Sequence, residues 1–268
     1  MLPSAGSYRG SKPMNQTDGK RPLGTRWCAI GSWLAGIGLL LAAAGALGGR
    51  LDLLAPLAAF MLFGIGALLA LLAIVLLAIG LLLSRGSAGA MSAGRAWGAL
   101  AVSALLIGFS LTQRPAVEGA PAIHDISTDL DDPPAFSETM RAAREAGGAQ
   151  NPVDYAGEET ARAQAAAYPD LQTLVLDAPP AAVFEAALAV ARELGWDIVS
   201  SDAAAGRIEA TATSRWFHFR DDVVIRIRPQ GSGSAVDLRS KSRVGRGDMG
   251  ANAARIREFL RRLQAATG

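Results

Sequence analysis

The stretch LLAPLAAFMLFGIGALLALLAIVLLAIGLLLS, residues 53–84, runs for 32 positions without a charge. At ~1.5 Å rise per residue, about 20 residues cross a hydrocarbon core of roughly 30 Å. This stretch therefore has to tilt, or to enter the bilayer only after Pro56. Working outward, residues 27–49 and 96–113 form charge-free runs of 23 and 18. The block Trp27–Gln113 thus reads as three membrane spans, the first a retained anchor rather than a cleaved signal because two more spans follow it. Cys28 at its head has no lipobox-like stretch before it and reads as an inert membrane thiol.

Flanking charge sets the expected direction. Arg9, Lys12, Lys20, Arg21, Arg26, Arg85 and Arg95 lie on one side, against Arg50 and Arg114 on the other, seven to two. The positive-inside bias puts the seven in the cytoplasm, with Trp27 and Trp97 at the inner interface. The expected location is a bacterial inner membrane, with a cytoplasmic N-terminus and a periplasmic C-terminal portion. No Asp, Glu, Lys, Arg or His interrupts the three runs, which argues against an ion-coupled transporter. The glycines Gly31, Gly36, Gly38, Gly45, Gly49, Gly64 and Gly66 suit close helix packing. Gly45 with Gly49 forms a small-xxx-small pair that can also serve a homo-oligomer.

The two parts of the chain differ in charge. Residues 1–114 carry 9 Lys/Arg and 2 Asp/Glu (+7), and residues 115–268 carry 17 and 22 (−5). Topology accounts for the basic part, so nucleic acid is not an expected partner. The chain's one cysteine is Cys28, which excludes disulfides and Cys-based zinc sites from the polar part. The plan is a disordered tail (1–26), a three-helix transmembrane domain (27–114), an acidic segment wrapping the core (115–170) and the α+β core itself (171–268).

Residues 115–170 hold eleven acids against Arg141, Arg144 and Arg162. Pro133 and Pro134 enforce an extended path before a short helix capped by Ser137, and a second helix is expected near Glu158–Ala167. Asp125, Asp129, Asp131, Asp132 and His124 lack the glycine and terminal glutamate of a calcium loop. An extended strand docking on the core is the expected use, and no metal or cofactor is expected. In 171–268, Leu174–Leu176 reads as a strand. A helix starting at Asp177-Ala-Pro-Pro carries Val183, Phe184, Ala187, Leu188, Ala191 and Leu194 on one face. Alternating strands come next: Trp196–Ser200, then runs with Ile208, Ala210 and Ala212, with Val223, Ile225 and Ile227, and with Val236, Leu238 and Ser240 inward. A last helix from about Gly250 presents Ile256, Phe259, Leu260 and Leu263. The order β-α-β-β-β-β-α implies an antiparallel sheet with helices packed on one face.

Several motifs invite chemistry. Gly245-Arg-Gly-Asp-Met-Gly250 matches a dinucleotide fingerprint, but no later parallel strand is expected to complete it. Asp248 is expected to cap the last helix instead. Residues 215–262 carry 12 basic groups against five acids. Arg226, Arg228, Arg239 and Lys241 are placed on outward strand faces, either as a solvated face paired with the acidic segment or as a surface for anionic lipid or an acidic partner. Trp216-Phe-His-Phe219 is either core or an exposed contact patch.

Thr213-Ser-Arg-Trp-Phe-His-Phe-Arg-Asp-Asp-Val-Val-Ile-Arg-Ile-Arg228 and Asp237-Leu-Arg-Ser-Lys-Ser-Arg-Val-Gly-Arg-Gly-Asp-Met-Gly-Ala-Asn-Ala-Ala-Arg-Ile256 resemble domain-of-unknown-function family 1499. Ile123-His-Asp-Ile-Ser-Thr-Asp129 with Pro133-Pro134 resembles that family's domain start. The resemblance spans roughly 120–265 and implies a bacterial envelope domain with no established activity. Matching polar positions are Asp221, Asp222, Arg239, Ser240, Ser242, Arg243, Asp248, Asn252 and Arg255. They make either a binding site or the hydrogen-bond partners that hold the C-terminal helix on the sheet. The leading functional expectation is a non-enzymatic module binding an envelope protein or anionic lipid. The others are a hydrolase-like enzyme using His124, Asp125 and the 239–255 cluster, and an apolar-ligand carrier.

Overall fold

The computed structural model describes residues 23–84, 90–112 and 119–268. The tail with Arg9, Lys12, Lys20 and Arg21, and also Arg85 and Arg114, lie outside the described residues. Three helices, α1 (Leu23–Arg50), α2 (Pro56–Leu83) and α3 (Ala90–Thr112), are long and apolar enough to cross a membrane. The first and third begin before the charge-free runs, so Arg26 and Arg95 sit inside helical turns. Pro56 opens α2 from its first turn, where its missing N–H has no helical partner to lose.

Glycine sets how closely α1 and α2 approach. A Cβ on Gly66 would lie 2.5 Å from the Gly38 carbonyl oxygen, and one on Gly45 the same distance from the Ala59 oxygen. Gly45 and Gly49 are therefore occupied by contacts within the chain, Gly49 lying against Ala59, Trp216 and Phe217.

The rest is a six-stranded sheet with helices, an α+β domain. In chain order it comprises β1 (Asp125–Ser127), α4 (Glu138–Ala146), α5 (Glu158–Ala167), β2 (Leu174–Leu176), α6 (Pro180–Glu193), β3 (Asp197–Asp202), β4 (Arg207–Thr213), β5 (Arg220–Gln230), β6 (Gly233–Ser242) and α7 (Ala251–Thr267). All pairings are antiparallel, in the order β1-β6-β5-β4-β3. The two short strands share one edge of β6: β2 on Ser234–Val236 and β1 on Arg239–Lys241. Gln164 of α5 closes the far side of β1, accepting from Ser127 N at 2.9 Å and donating to Ser127 O at 2.5 Å.

Strand alternation gives the sheet two unlike faces. One carries Ile208, Ala210, Val223, Ile225, Ile227, Val236 and Leu238 into a core closed by α6 and α7. Trp196 stacks on Phe259 there with centroids 5.3 Å apart. Side chains of α6, α7 and the sheet pack together in this layer.

The other face pairs with the acidic segment, as one of the two expectations had it, but Arg239 and Lys241 are buried rather than solvated. Arg239 is 2% exposed and Lys241 1%, because the acidic segment lies across them. Trp216–Phe219, the turn between β4 and β5, is neither domain core nor a free patch. It packs into the domain-facing end of the helices, with Phe217 edge-on to Phe60 and Phe63, and Trp216 edge-on to Phe109.

Candidate functional site

The alternation of β6 places Asp237, Arg239, Lys241 and Arg243 on the covered face, where carboxylates from elsewhere meet them. Asp125, brought alongside by the β1–β6 pairing, accepts from Arg239 Nε at 2.8 Å and Nη2 at 2.9 Å, and from Lys241 Nζ at 2.9 Å. Asp222 of β5 accepts from Arg144 Nη1 at 2.6 Å, Arg243 Nη2 at 2.8 Å and Thr211 Oγ1 at 2.7 Å. Asp237 takes Arg226, Arg228 and Thr173. Phe136 lies under both Arg239 and Arg144, and Tyr155 stacks on Arg239.

Burial dominates the electrostatics of this layer. It pulls the Lys241 ammonium below its usual range more strongly than Asp125 lifts it, and lowers Arg144 despite Asp222. The Tyr155 hydroxyl is pushed up to about 12 by burial and by Asp125. Charges taken out of water persist only when paired and hydrogen-bonded, and Asp125 and Asp222 each serve two cations. Glu209 closes a different gap. Fully buried, it accepts from Ser137 N at 2.6 Å and from the Ser137 and Ser200 hydroxyls, which secures the start of α4.

The helix-bearing face holds a second polar group. Ser240 Oγ donates to Asn252 Oδ1 at 2.6 Å and accepts from Arg255 Nη1 at 3.0 Å. Asn252 Nδ2 donates to Ser242 Oγ and the His124 carbonyl. Arg255 Nη2 reaches Asp221 at 2.6 Å. The Asp248 carboxylate accepts from Gly250 N at 2.9 Å and Asn252 N at 2.7 Å, so it does cap α7. Burial nevertheless raises its pKa above the usual carboxylate range.

The sequence candidates thus divide across the sheet. Asp125, Asp222, Arg239 and Arg243 lie on one face; Asp221, Ser240, Ser242, Asn252 and Arg255 lie on the other, with Asp248 at the head of α7. Ser240 is fully buried with its proton committed to Asn252, and the His124 ring faces the Arg246 carbonyl at 3.4 Å. Of the residues drawn together for a hydrolase, Asp125 pairs with Arg239 and Lys241 on the covered face and Ser240 with Asn252 on the other. Among the described residues, no three His, Cys, Asp or Glu side chains gather to hold a metal. Sequence reasoning missed Arg144, Thr211, Glu209, Asn151 and Gln164. The available signal was an arginine four residues after the buried Met140, which puts it on the inward face of α4.

A three-helix membrane region followed by an α+β domain with charged side chains buried on one sheet face defines the class of protein. The family model described as "Protein of unknown function (DUF1499)" matches residues 125–263. The chain belongs to this family, and the match begins at Asp125, a hub of the covered face. No curated protein matches the chain.

Proposed function

We propose that the chain is a multi-pass protein of the bacterial inner membrane whose α+β domain, on the periplasmic side, is a non-catalytic module that binds an envelope protein. The seven-to-two bias of flanking basic residues supports the orientation. One observation carries the functional reading: the polar residues of both faces are consumed by each other, as scaffold rather than site. The basic residues 215–262 illustrate this, since Arg226, Arg228, Arg239, Lys241, Arg243, Arg255, Arg257, Arg261 and Arg262 all have carboxylate partners within the domain.

Among the described residues, one open groove of about 510 Å³ lies between the Thr128–Asp131 turn and the Ala165–Thr173 connection. Asp131 on one wall and Gln172 on the other suit polar groups of a protein segment. The test is photocrosslinking in living cells from positions 131 and 172, with Arg192 on α6 as a remote control. The expected result is one reproducible adduct from the groove positions alone. Adducts equal to the control, or none, overturn the reading. Orientation is tested separately: a C-terminal alkaline-phosphatase fusion is expected to be active, and an inactive one reverses it.

A further inference from the structure

We propose that the loop joining β6 to α7, residues 243–250, is a second foot on the lipid surface, with Met249 entering the boundary between headgroups and acyl chains and Arg246 meeting a lipid phosphate. The inference rests on the membrane reading of α1–α3 and is independent of the groove.

Position is the first support. β4 ends at Thr213, β5 begins at Arg220 and β6 ends at Ser242, with Arg243 N donating to Arg220 O at 3.0 Å. The β6–α7 loop therefore leaves the same end of the sheet as the Trp216–Phe219 turn. That turn is seated in the helices as far as Phe63, seven residues into α2 and so on the order of 10 Å below its start. Arg50, at the end of α1, donates to the Arg215 carbonyl at 3.2 Å. Arginines at a helix end reach for the headgroup zone, which puts this end of the sheet at that level.

The loop's own chemistry is the second support. Beyond Thr112, the exposed large apolar side chains among the described residues are Val175 and Met249. Val175 pairs with Ala235 near the opposite end of the sheet. A lone exposed apolar residue is ordinary on a surface; this one is held out by its backbone. Met249 has φ 54° and Gly250 φ 81°, a conformation that a methionine adopts at a cost. The loop cannot easily relax, because Asp248 N donates to Ile123 O at 3.2 Å and the Asp248 carboxylate holds Gly250 N and Asn252 N. Arg246 is exposed and has no acidic partner among the described residues. An apolar side chain beside an unpaired cation, next to a segment already seated in a membrane bundle, matches an interfacial contact.

The test uses the full chain with Cys28→Ala in lipid nanodiscs, carrying a polarity-sensitive fluorophore at Met249→Cys, Arg246→Cys, Val175→Cys or the lipid-facing Leu72→Cys. Lipids spin-labelled close to the headgroup supply the quencher for positions 246, 249 and 175, and lipids spin-labelled near the acyl-chain end supply it for position 72. Quenching at 249 and 246 is expected to exceed that at 175 at least about twofold. With the label at 249, Arg246→Glu is expected to reduce quenching about twofold. Quenching at 249 and 246 no greater than at 175, with 72 quenched, overturns the foot and leaves the spans standing. Absence of quenching at 72 overturns the membrane reading and the foot together. An Arg246→Glu variant with unchanged quenching overturns the phosphate contact.

Discussion

Asp125, like Asp222, is a hub of the covered face, because two cations depend on it and neither has water to fall back on. Replacing one partner of a buried pair leaves the other uncompensated. Asp125→Asn is therefore expected to lower unfolding stability by about 3–5 kcal/mol, read from thermal or chemical unfolding of the full chain in detergent. Lys241→Met removes a cation that burial already disfavours and leaves Asp125 with both Arg239 bonds, so its loss is expected to stay within about 1 kcal/mol. Equal losses for the two variants would refute this ranking. Glu258, held down to about 2 by Arg261 and Arg262, gives a pH test. Its folded pKa lies below its unfolded value of 4.5, so its stabilisation is complete above 4.5 and is lost as pH falls through about 2. The difference in melting midpoint between wild type and Glu258→Gln should shrink to nothing over that window, measured by circular dichroism.

At the scale of elements, junctions decide behaviour. A Cβ on Gly49 would lie 2.9 Å from both Ala59 Cβ and the Trp216 carbonyl oxygen, and 3.0 Å from Phe217 Cα. Gly49→Ala must push the β4–β5 turn away, and Phe217→Ala removes the ring held between Phe60 and Phe63. Both are expected to raise amide exchange across 215–219 at least about tenfold while β4 and β5 stay protected, measured by hydrogen–deuterium exchange. Protection unchanged in both would show that the turn is held by something else. Elements with local causes were legible in the sequence. Leu174–Leu176, Glu158–Ala167 and the Ser137 cap match the structure, because propensity, prolines and capping act within a few residues. The destinations of side chains were not legible. Arg144 meets Asp222 78 residues away and Arg239 meets Asp125 across 114. Alternation and the charge contrast told that Arg239 and Lys241 share a face and that the acidic segment pairs with it, but not which carboxylate meets which cation, nor that the face would be buried.

For the whole molecule, the sheet's covered face and its turn in the helices make one continuous structure from parts that composition separates. The candidate polar residues belong to two hydrogen-bonded groups rather than one. Sequence neighbours such as Arg239 and Ser240 serve opposite faces, one tying the acidic segment to the sheet and the other tying α7. The seating of Trp216–Phe219 also bears on biosynthesis. The Arg50–Arg215 contact spans 165 residues, so α1, α2 and α3 leave the ribosome long before the turn that fits between them. Until the sheet has closed and delivered that turn, Phe60, Phe63 and Phe109 have no ring to meet from the domain side. The helices can insert early, but their domain-facing end is completed last, by the folding of a segment that is not itself one of the three spans.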